Sequence, residues 1–282
     1  MVAQPQFRAY VIAAWMLMML LGAAPTAAEQ RPLSISVGDW PPFFAQELRY
    51  QGVVAHLIKD IFAAEGYEVT FHFLPWNRAY REAAQGARDA TAVWMYQADR
   101  EADFHYSEPV LEERFVFFYR HSEGFHWQTL EDLAGKRFGG GFSYSYGAEF
   151  DAALDKALFT MERVPTTAQN FLRLLAGHID AFPEEQRVGY HILRRELTPE
   201  QAAEISHHPL PLLRNQSFVL FPRSKADSEV LMAKFNERLQ VFRDSGRYQS
   251  YFDAFEQGFY QPDSEPVAGA PGPYIASGLP QP

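Results

Sequence analysis

The sequence of 282 residues contains no cysteine. That excludes disulfides, thiolate metal sites and cysteine nucleophiles, and leaves stability to the packed core. Basic residues are in deficit, with 25 Lys and Arg against 35 Asp and Glu and a formal net charge of −10. No basic stripe is present to displace counterions, so nucleic acid is not an expected partner. Long apolar runs are scarce too. The one near the start, Val11–Leu21, covers 11 residues; a membrane-spanning helix needs about 20. No HExxH or similarly close ligand spacing surrounds His178, His191, His207 or His208. They read as surface histidines, and neither metal nor cofactor is expected.

What is present first is an export signal. Arg8, the apolar run to Leu21 and the small residues Gly22–Ala28 form the three parts of a secretory signal peptide. Thr26 and Ala28 suit the −3 and −1 positions, so cleavage is expected after Ala28, with delivery to the periplasm. No cysteine follows the run, which excludes a lipid anchor. The mature chain of 254 residues loses Arg8 and no acid, which takes its charge to −11. It is long enough for one large or two modest domains. Aromatic residues make up 15% of the chain, enough to line a pocket as well as fill a core.

Hydrophobic periodicity alternates between strand and helix. Leu33–Val37 alternates apolar and polar, a strand signal. Val53–Ala64 carries apolar residues at helical spacing and stops at Gly66. Val69–Phe73 reads as a strand, Asn77–Gln85 as a short helix and Ala90–Tyr96 as a buried strand. The pattern restarts with Phe115–Tyr119, Lys136–Gly140, a helix at Ala148–Leu158, a helical stretch at Phe171–Ala176, a strand at Ile179–Phe182 and a helix at Arg187–Arg195. It closes with a strand at Phe218–Phe221 and a helix at Ser228–Arg243. Such alternation predicts α/β architecture. The second α/β unit is inserted into the first: 29–119 and 219–260 form one lobe, 120–218 the other. Two crossing strands, near Tyr119–Ser122 and Phe218–Pro222, would make the hinge. The stretch 261–282 is rich in Pro, Gly, Ala and Ser and is expected to be disordered.

Several local patterns, in order, resemble one family. They are Gly38-Asp39-Trp40-Pro41-Pro42-Phe43, then Pro75-Trp76-Asn77-Arg78-Ala79, then Gln97-Ala98-Asp99-Arg100 followed by Tyr106-Ser107-Glu108-Pro109. Further on come Leu133–Arg137, Gly177–Ala181, Asn236 and Ser245-Gly246. Together they are similar to the extracellular solute-binding proteins of polar amino-acid ABC transporters, bacterial solute-binding protein family 3. The resemblance covers about Leu33 to Phe259. It implies a periplasmic-binding-protein-like fold of two lobes that close on a small amino-acid-like ligand, a membrane permease as partner, and no catalysis. A monomer is expected.

The resemblance also nominates residues. Arg100 holds the position that grips the ligand α-carboxylate, where a planar guanidinium makes two parallel bonds; a surface ion pair with Asp99 or Glu101 is the plainer reading. Trp40 would lie against the ligand, or pack the hinge. Trp76 matches a pocket wall, or core. Arg78, a turn further on, would face the ligand or form a surface pair. Ser143, Tyr144, Ser145 and Tyr146 match the second lobe's loop, whose hydroxyls and helix-start N–H groups suit an anion; simple helix capping is the alternative. Glu185 matches an acid that pairs with the ligand ammonium, although Glu184 stands beside it. Ala92, Val93, Met95 and Gln97 depart from the Ser, Gly and Thr usual near the ligand, which leaves a modified, larger or less polar solute open. Two other readings stay open: a secreted dehydratase of cyclohexadienyl acids, with Glu185 as the acid, and a sensor that reports to a receptor kinase.

Overall fold

The computed structural model describes residues 30–142, 144, 146–262 and 269–272. The expected signal peptide, Ser143, Ser145 and most of the C-terminal stretch lie outside the described residues. The first half of the fold begins with strand β1 (Arg31–Val37), helix α1 (Val53–Ala64), β2 (Tyr67–Phe73), α2 (Trp76–Ala84) and β3 (Ala90–Met95). β1 lies between β2 and β3, parallel to both, with Leu33 opposite Val69 and Ile35 opposite Phe71. On α1 the apolar positions Val53, Val54, Leu57, Ile58, Ile61 and Phe62 are all fully buried. Each large one contributes about 1.5–3 kcal/mol by leaving water. Gly66, in a left-handed conformation at φ +80°, turns the chain out of the helix.

Strand β4 (Phe104–Tyr106) and the long β5 (Leu111–Arg120) lead to the second half. There β6 (Arg137–Gly141), α3 (Ala148–Asp155), β7 (Thr160–Val164), α4 (Thr167–Leu175), β8 (Phe182–Glu185), α5 (Gln186–Glu196), α6 (Pro199–Ala203) and β9 (Ile205–His207) follow. The chain returns on β10 (Leu213–Pro222) and ends in α7 (Ser228–Asp244) and α8 (Arg247–Glu256), which pack on α1. One sheet runs through both halves in the order β2-β1-β3-β10-β5-β8, while β6 and β7 form a separate parallel pair.

The passage between the halves falls where β5 and β10 pair, Leu111–Phe115 against Leu213–Ser217. On one side β10 continues against β3; on the other β5 continues against β8. This is earlier in β5 than the 119–122 crossing the sequence suggests. Phe115 and Phe117 enter one apolar cluster of the second half, Val116 and Phe118 another. A strand buried on both faces belongs inside a lobe. β8 is also displaced from the expected Ile179–Phe182: Ala181 makes a single bridge to Phe138, and the paired strand runs from Phe182 to Glu185. Two glutamates in a buried strand are a pattern that hydrophobicity rejects.

Candidate functional site

In the first half, β3 ends in a bulge. Val93 sits at φ +59°, and the pairing with β10 shifts between Phe218 and Val219. A β-branched residue in that region is strained, and bulges re-aim the side chains that follow. Met95 comes to lie opposite Ser217, and Trp94 opposite Phe218. Trp94 donates from its indole nitrogen to Thr91 Oγ1 at 2.8 Å and meets Trp76 edge-on at 5.2 Å. Arg100 rises from the short turn Ala98–Ala102. Its Nη1 donates to the Met95 carbonyl at 2.8 Å, and its guanidinium stacks 4.8 Å over Trp94. Arg100 is thus half-buried at the end of β3 and makes no ion pair with Asp99 or Glu101.

Trp76 is wedged against β1: a Cβ on Gly38 would stand 2.0 Å from its ring, so only glycine fits there. Trp40 packs 4.8 Å from Phe43, and its indole N–H is buried without an acceptor. Gln97 is exposed, and its backbone shares the Tyr106 hydroxyl. Arg78 lies on the solvent face of α2, paired with Glu82 at 2.7 Å. The structure therefore gathers Trp76, Met95 and Arg100, with Trp40 on the neighbouring loop, and leaves Arg78 outside.

In the second half, Tyr144 and Tyr146 lie in the turn after β6, with rings 6.2 Å apart. Tyr146 is buried, and its hydroxyl accepts from the Gly141 N–H at 2.8 Å. Arg163 braces the turn, with Nη1 donating to the carbonyls of Gly141 and Tyr144. Gly147, not a hydroxyl side chain, occupies the cap of α3. Glu184 accepts from Thr167 Oγ1 at 2.7 Å and from the Glu185 N–H at 2.9 Å. Glu185 caps α5 by accepting from the Val188 N–H at 2.9 Å. Burial pushes both carboxyls up to about 7, against the opposing pull of these hydrogen bonds.

Between the halves, Glu113 of β5 pairs with Asn215 of β10 and shares a strand face with Leu111 and Phe115. It accepts from Asn215 Nδ2 at 3.0 Å and from Ser217 Oγ. Burial raises its carboxyl pKa as well. Helix α5 closes the other side. Val188 and Ile192 join the apolar core of the first half, and Arg195 Nη1 meets Glu47 Oε1 at 2.7 Å. His191 on this helix is 1% exposed, with neither ring nitrogen hydrogen-bonded. That corrects its reading as a surface residue: its helix face is covered by the opposite half.

Residues 34–257 match the profile of the bacterial extracellular solute-binding proteins, family 3. The chain belongs to that family. Its fold is periplasmic-binding-protein-like, as solved structures agree. The probable amino-acid ABC transporter extracellular-binding protein ytmK from Bacillus subtilis superposes with a TM-score of 0.68 at 14% identity, covering 83% of this chain and 99% of that one. AbpA from Streptococcus pneumoniae, an amino acid ABC transporter substrate-binding protein bound to L-arginine, gives 0.61 at 18% identity over 80% and 94%. A histidine kinase sensor domain with similarity to periplasmic binding proteins gives 0.62 at 19% identity over 80% and 96%. No curated protein matches. Among the described residues, no helix of this family member is long and apolar enough to cross a membrane.

For a solute-binding protein, four neighbours of the nominated residues escaped the sequence reading: Glu113, Thr167, Arg163 and Arg195. Glu113 alone had a legible signal. It is a charge at the inward position of an alternating strand, between Leu111 and Phe115.

Proposed function

We propose that this protein is a periplasmic solute-binding protein that captures a small amino-acid-like ligand and presents it to an ABC transporter permease. The ligand carboxylate would sit on the Arg100 guanidinium, with Trp40, Trp76 and Met95 as walls and the Tyr144–Tyr146 turn and Glu185 closing from the other half. The observation that supports the reading is the placement of two nominated residues at strand ends in different halves. Arg100 stands after β3 and Glu185 ends β8, with β10 and β5 between those strands in the sheet. A ligand touching both loops is bound fully only in the closed form, and that differential affinity drives closure. Arg100 suits a carboxylate because its guanidinium lies over the Trp94 ring, 4.8 Å from its centroid, and offers N–H donors beyond the one given to the Met95 carbonyl.

The test is a thermal-shift screen of amino acids, followed by calorimetry. A true ligand at a hundredfold its Kd adds about 2.7 kcal/mol of stability. Arg100→Ala is expected to cost about 2–5 kcal/mol of binding for any carboxylate ligand, as truncating a desolvated charge partner does. Unchanged affinity in that variant sinks the assignment. Delivery to a receptor kinase instead of a permease is the second reading, because the same fold serves in a histidine kinase sensor domain. Pull-down with the membrane partner separates the two.

A further inference from the structure

The turn between β6 and α3 is held by one cation from the neighbouring strand. Arg163 stands near the end of β7, opposite Gly140 of β6 in the parallel pair. Its Nη1 donates to the Gly141 carbonyl at 2.7 Å and to the Tyr144 carbonyl at 2.8 Å. Each terminal guanidinium nitrogen carries two hydrogens, so one nitrogen serves both acceptors. Hydrogen bonds from a charged donor are about twice as strong as neutral ones. Among the described residues no carboxylate pairs with Arg163, and its guanidinium carbon lies 5.9 Å from the centre of the Tyr146 ring. A half-buried arginine is thus committed to two backbone carbonyls of a single turn.

The other contacts of the turn converge on the same residues. The Gly141 N–H donates to the Tyr146 hydroxyl at 2.8 Å, and a Cβ at Gly141 would stand 2.9 Å from the Tyr144 ring. Glycine at 141 lets that ring lie against the backbone that Arg163 holds. The turn's own backbone bonds are long: Phe142 N–H to the Val164 carbonyl at 3.3 Å, and Tyr144 N–H to the Gly141 carbonyl at 3.5 Å. Bonds of that length hold a turn loosely. The short bonds to its carbonyls come from Arg163. Phe142 and Tyr144 are meanwhile 58% and 38% exposed. Two aromatic rings left in solvent on so short a turn suit contact with a solute.

We propose that Arg163 is a positioning residue for ligand capture: through the Gly141 and Tyr144 carbonyls it fixes the turn between β6 and α3 before the solute arrives. This rests on the binding reading above and adds to that site a residue that acts through the turn and not by touching the ligand. Ordering a loop on binding costs conformational entropy, and a turn fixed beforehand avoids that cost. The benefit appears in how long the closed form lasts, because affinity differences within one site lie mostly in the dissociation rate. Arginine suits the place because its planar fork is already organised and loses little freedom per bond formed. Lysine brings the charge and the donors without the fork, so it replaces arginine only in part.

The test begins with hydrogen–deuterium exchange of the ligand-free secreted chain as wild type, Arg163→Ala and Arg163→Lys. Amides of 139–147 are expected to exchange about tenfold faster in Arg163→Ala, with α1 and α4 unchanged, and to recover in part in Arg163→Lys. Free guanidinium ion at a non-denaturing concentration should restore protection in Arg163→Ala and leave wild type as it is. Unchanged exchange of the turn overturns the brace. So does an equal rise throughout the second half, which would make Arg163 an ordinary stabilising residue. The consequence for capture is read with the proteinogenic L-amino acids as probes. Any that raises the wild-type melting midpoint should dissociate about tenfold faster from Arg163→Ala in stopped flow, with association within about twofold. Equal dissociation rates overturn the positioning role and leave the binding reading intact. If no amino acid raises the wild-type midpoint, the binding reading itself falls, and the capture role falls with it whatever the exchange shows.

Discussion

Two sets of buried acids in this molecule are treated in opposite ways. Asp60 on α1 is 4% exposed and fully provided for. It accepts from the Tyr251 hydroxyl at 2.6 Å and from Arg247 Nη2 at 2.8 Å. His56 lies 3.6 Å away and is itself tied to the Tyr260 hydroxyl at 3.0 Å and stacked beneath Tyr50. Glu113, Glu184 and Glu185 are as deeply buried and are held by hydroxyls, an amide and backbone N–H groups, with Arg187 3.9 Å from Glu185 and no lysine or arginine among the described residues paired with the other two. The first arrangement fastens α8 and the end of the chain to the first half. The second lies on the β5 and β8 strands and relies on neutral donors.

Removing the acid should therefore have opposite effects at the two places. Asp60→Ala removes the carboxylate that accepts from Arg247 and from the Tyr251 hydroxyl. Breaking a buried pair costs about 3–5 kcal/mol, and the lower end applies because Arg247 is partly exposed. Urea denaturation should show that loss, with ligand affinity of the folded protein unchanged. A loss under about 1 kcal/mol would mean that the network is ornamental.

Glu184→Gln is expected to do the reverse. At pH 8 it removes a buried charge that no lysine or arginine among the described residues pairs with, and ligand-free stability should rise by on the order of 1 kcal/mol. At pH 5 the wild-type carboxyl is already protonated, and the substitution should change little. The sign follows from the folded value of about 7 against the ordinary 4.5. A raised carboxyl contributes stability that is present below the unfolded value and lost as pH climbs through the folded one. His56 acts oppositely: burial lowers it to about 4, so its contribution is present above 6.5 and lost as pH falls toward 4. From pH 6.5 to 8 the glutamates govern. Wild-type stability should fall across that window, and the Glu184→Gln profile should be flatter. Parallel profiles would refute the assignment.

The same contrast explains how much was legible in the sequence. Elements whose burial is apolar were plain: α1 matches the expected Val53–Ala64 end to end, and β1 falls where Leu33–Val37 alternates. Elements that break the hydrophobic rule were misplaced or missed. β8 was shifted by three residues because its end is Pro183-Glu184-Glu185. β5 begins at Leu111, ahead of the expected Phe115, because Glu112, Glu113 and Arg114 interrupt its apolar signal. β7 has no buried residue and only Met161 and Val164 as apolar positions, too few to mark a strand. For the site, a resemblance at Gln97–Arg100 leads to Arg100. No local pattern joins Glu113 to Glu185, because that neighbourhood exists only through the β5–β8 register.

The smallest expected effect concerns the contact that joins the two halves at their rim. Glu47 and Arg195 meet at 2.7 Å, but their side chains are 44% and 45% exposed. Solvent screens such a pair, and it is worth about 0–1 kcal/mol. Unlike the Asp60 network, it connects groups from different halves, so its energy should appear in closure and not in folding. Arg195→Ala should leave the unfolding midpoint nearly unchanged and weaken ligand binding by no more than about fivefold. Small-angle scattering of the ligand-free variant should then show a slightly larger radius of gyration than wild type. The neighbouring His191 makes this contact sensitive to acid: burial holds its pKa down to about 4, and Glu47, Arg194 and Arg195 act on its charge. Protonating His191 requires its covered face to open, so below pH 6.5 the same loosening should appear in the wild-type protein. If Arg195→Ala instead lowers the unfolding midpoint as far as Asp60→Ala does, the rim contact is part of the folded core, and the distinction between a sealed half and a closing seam fails.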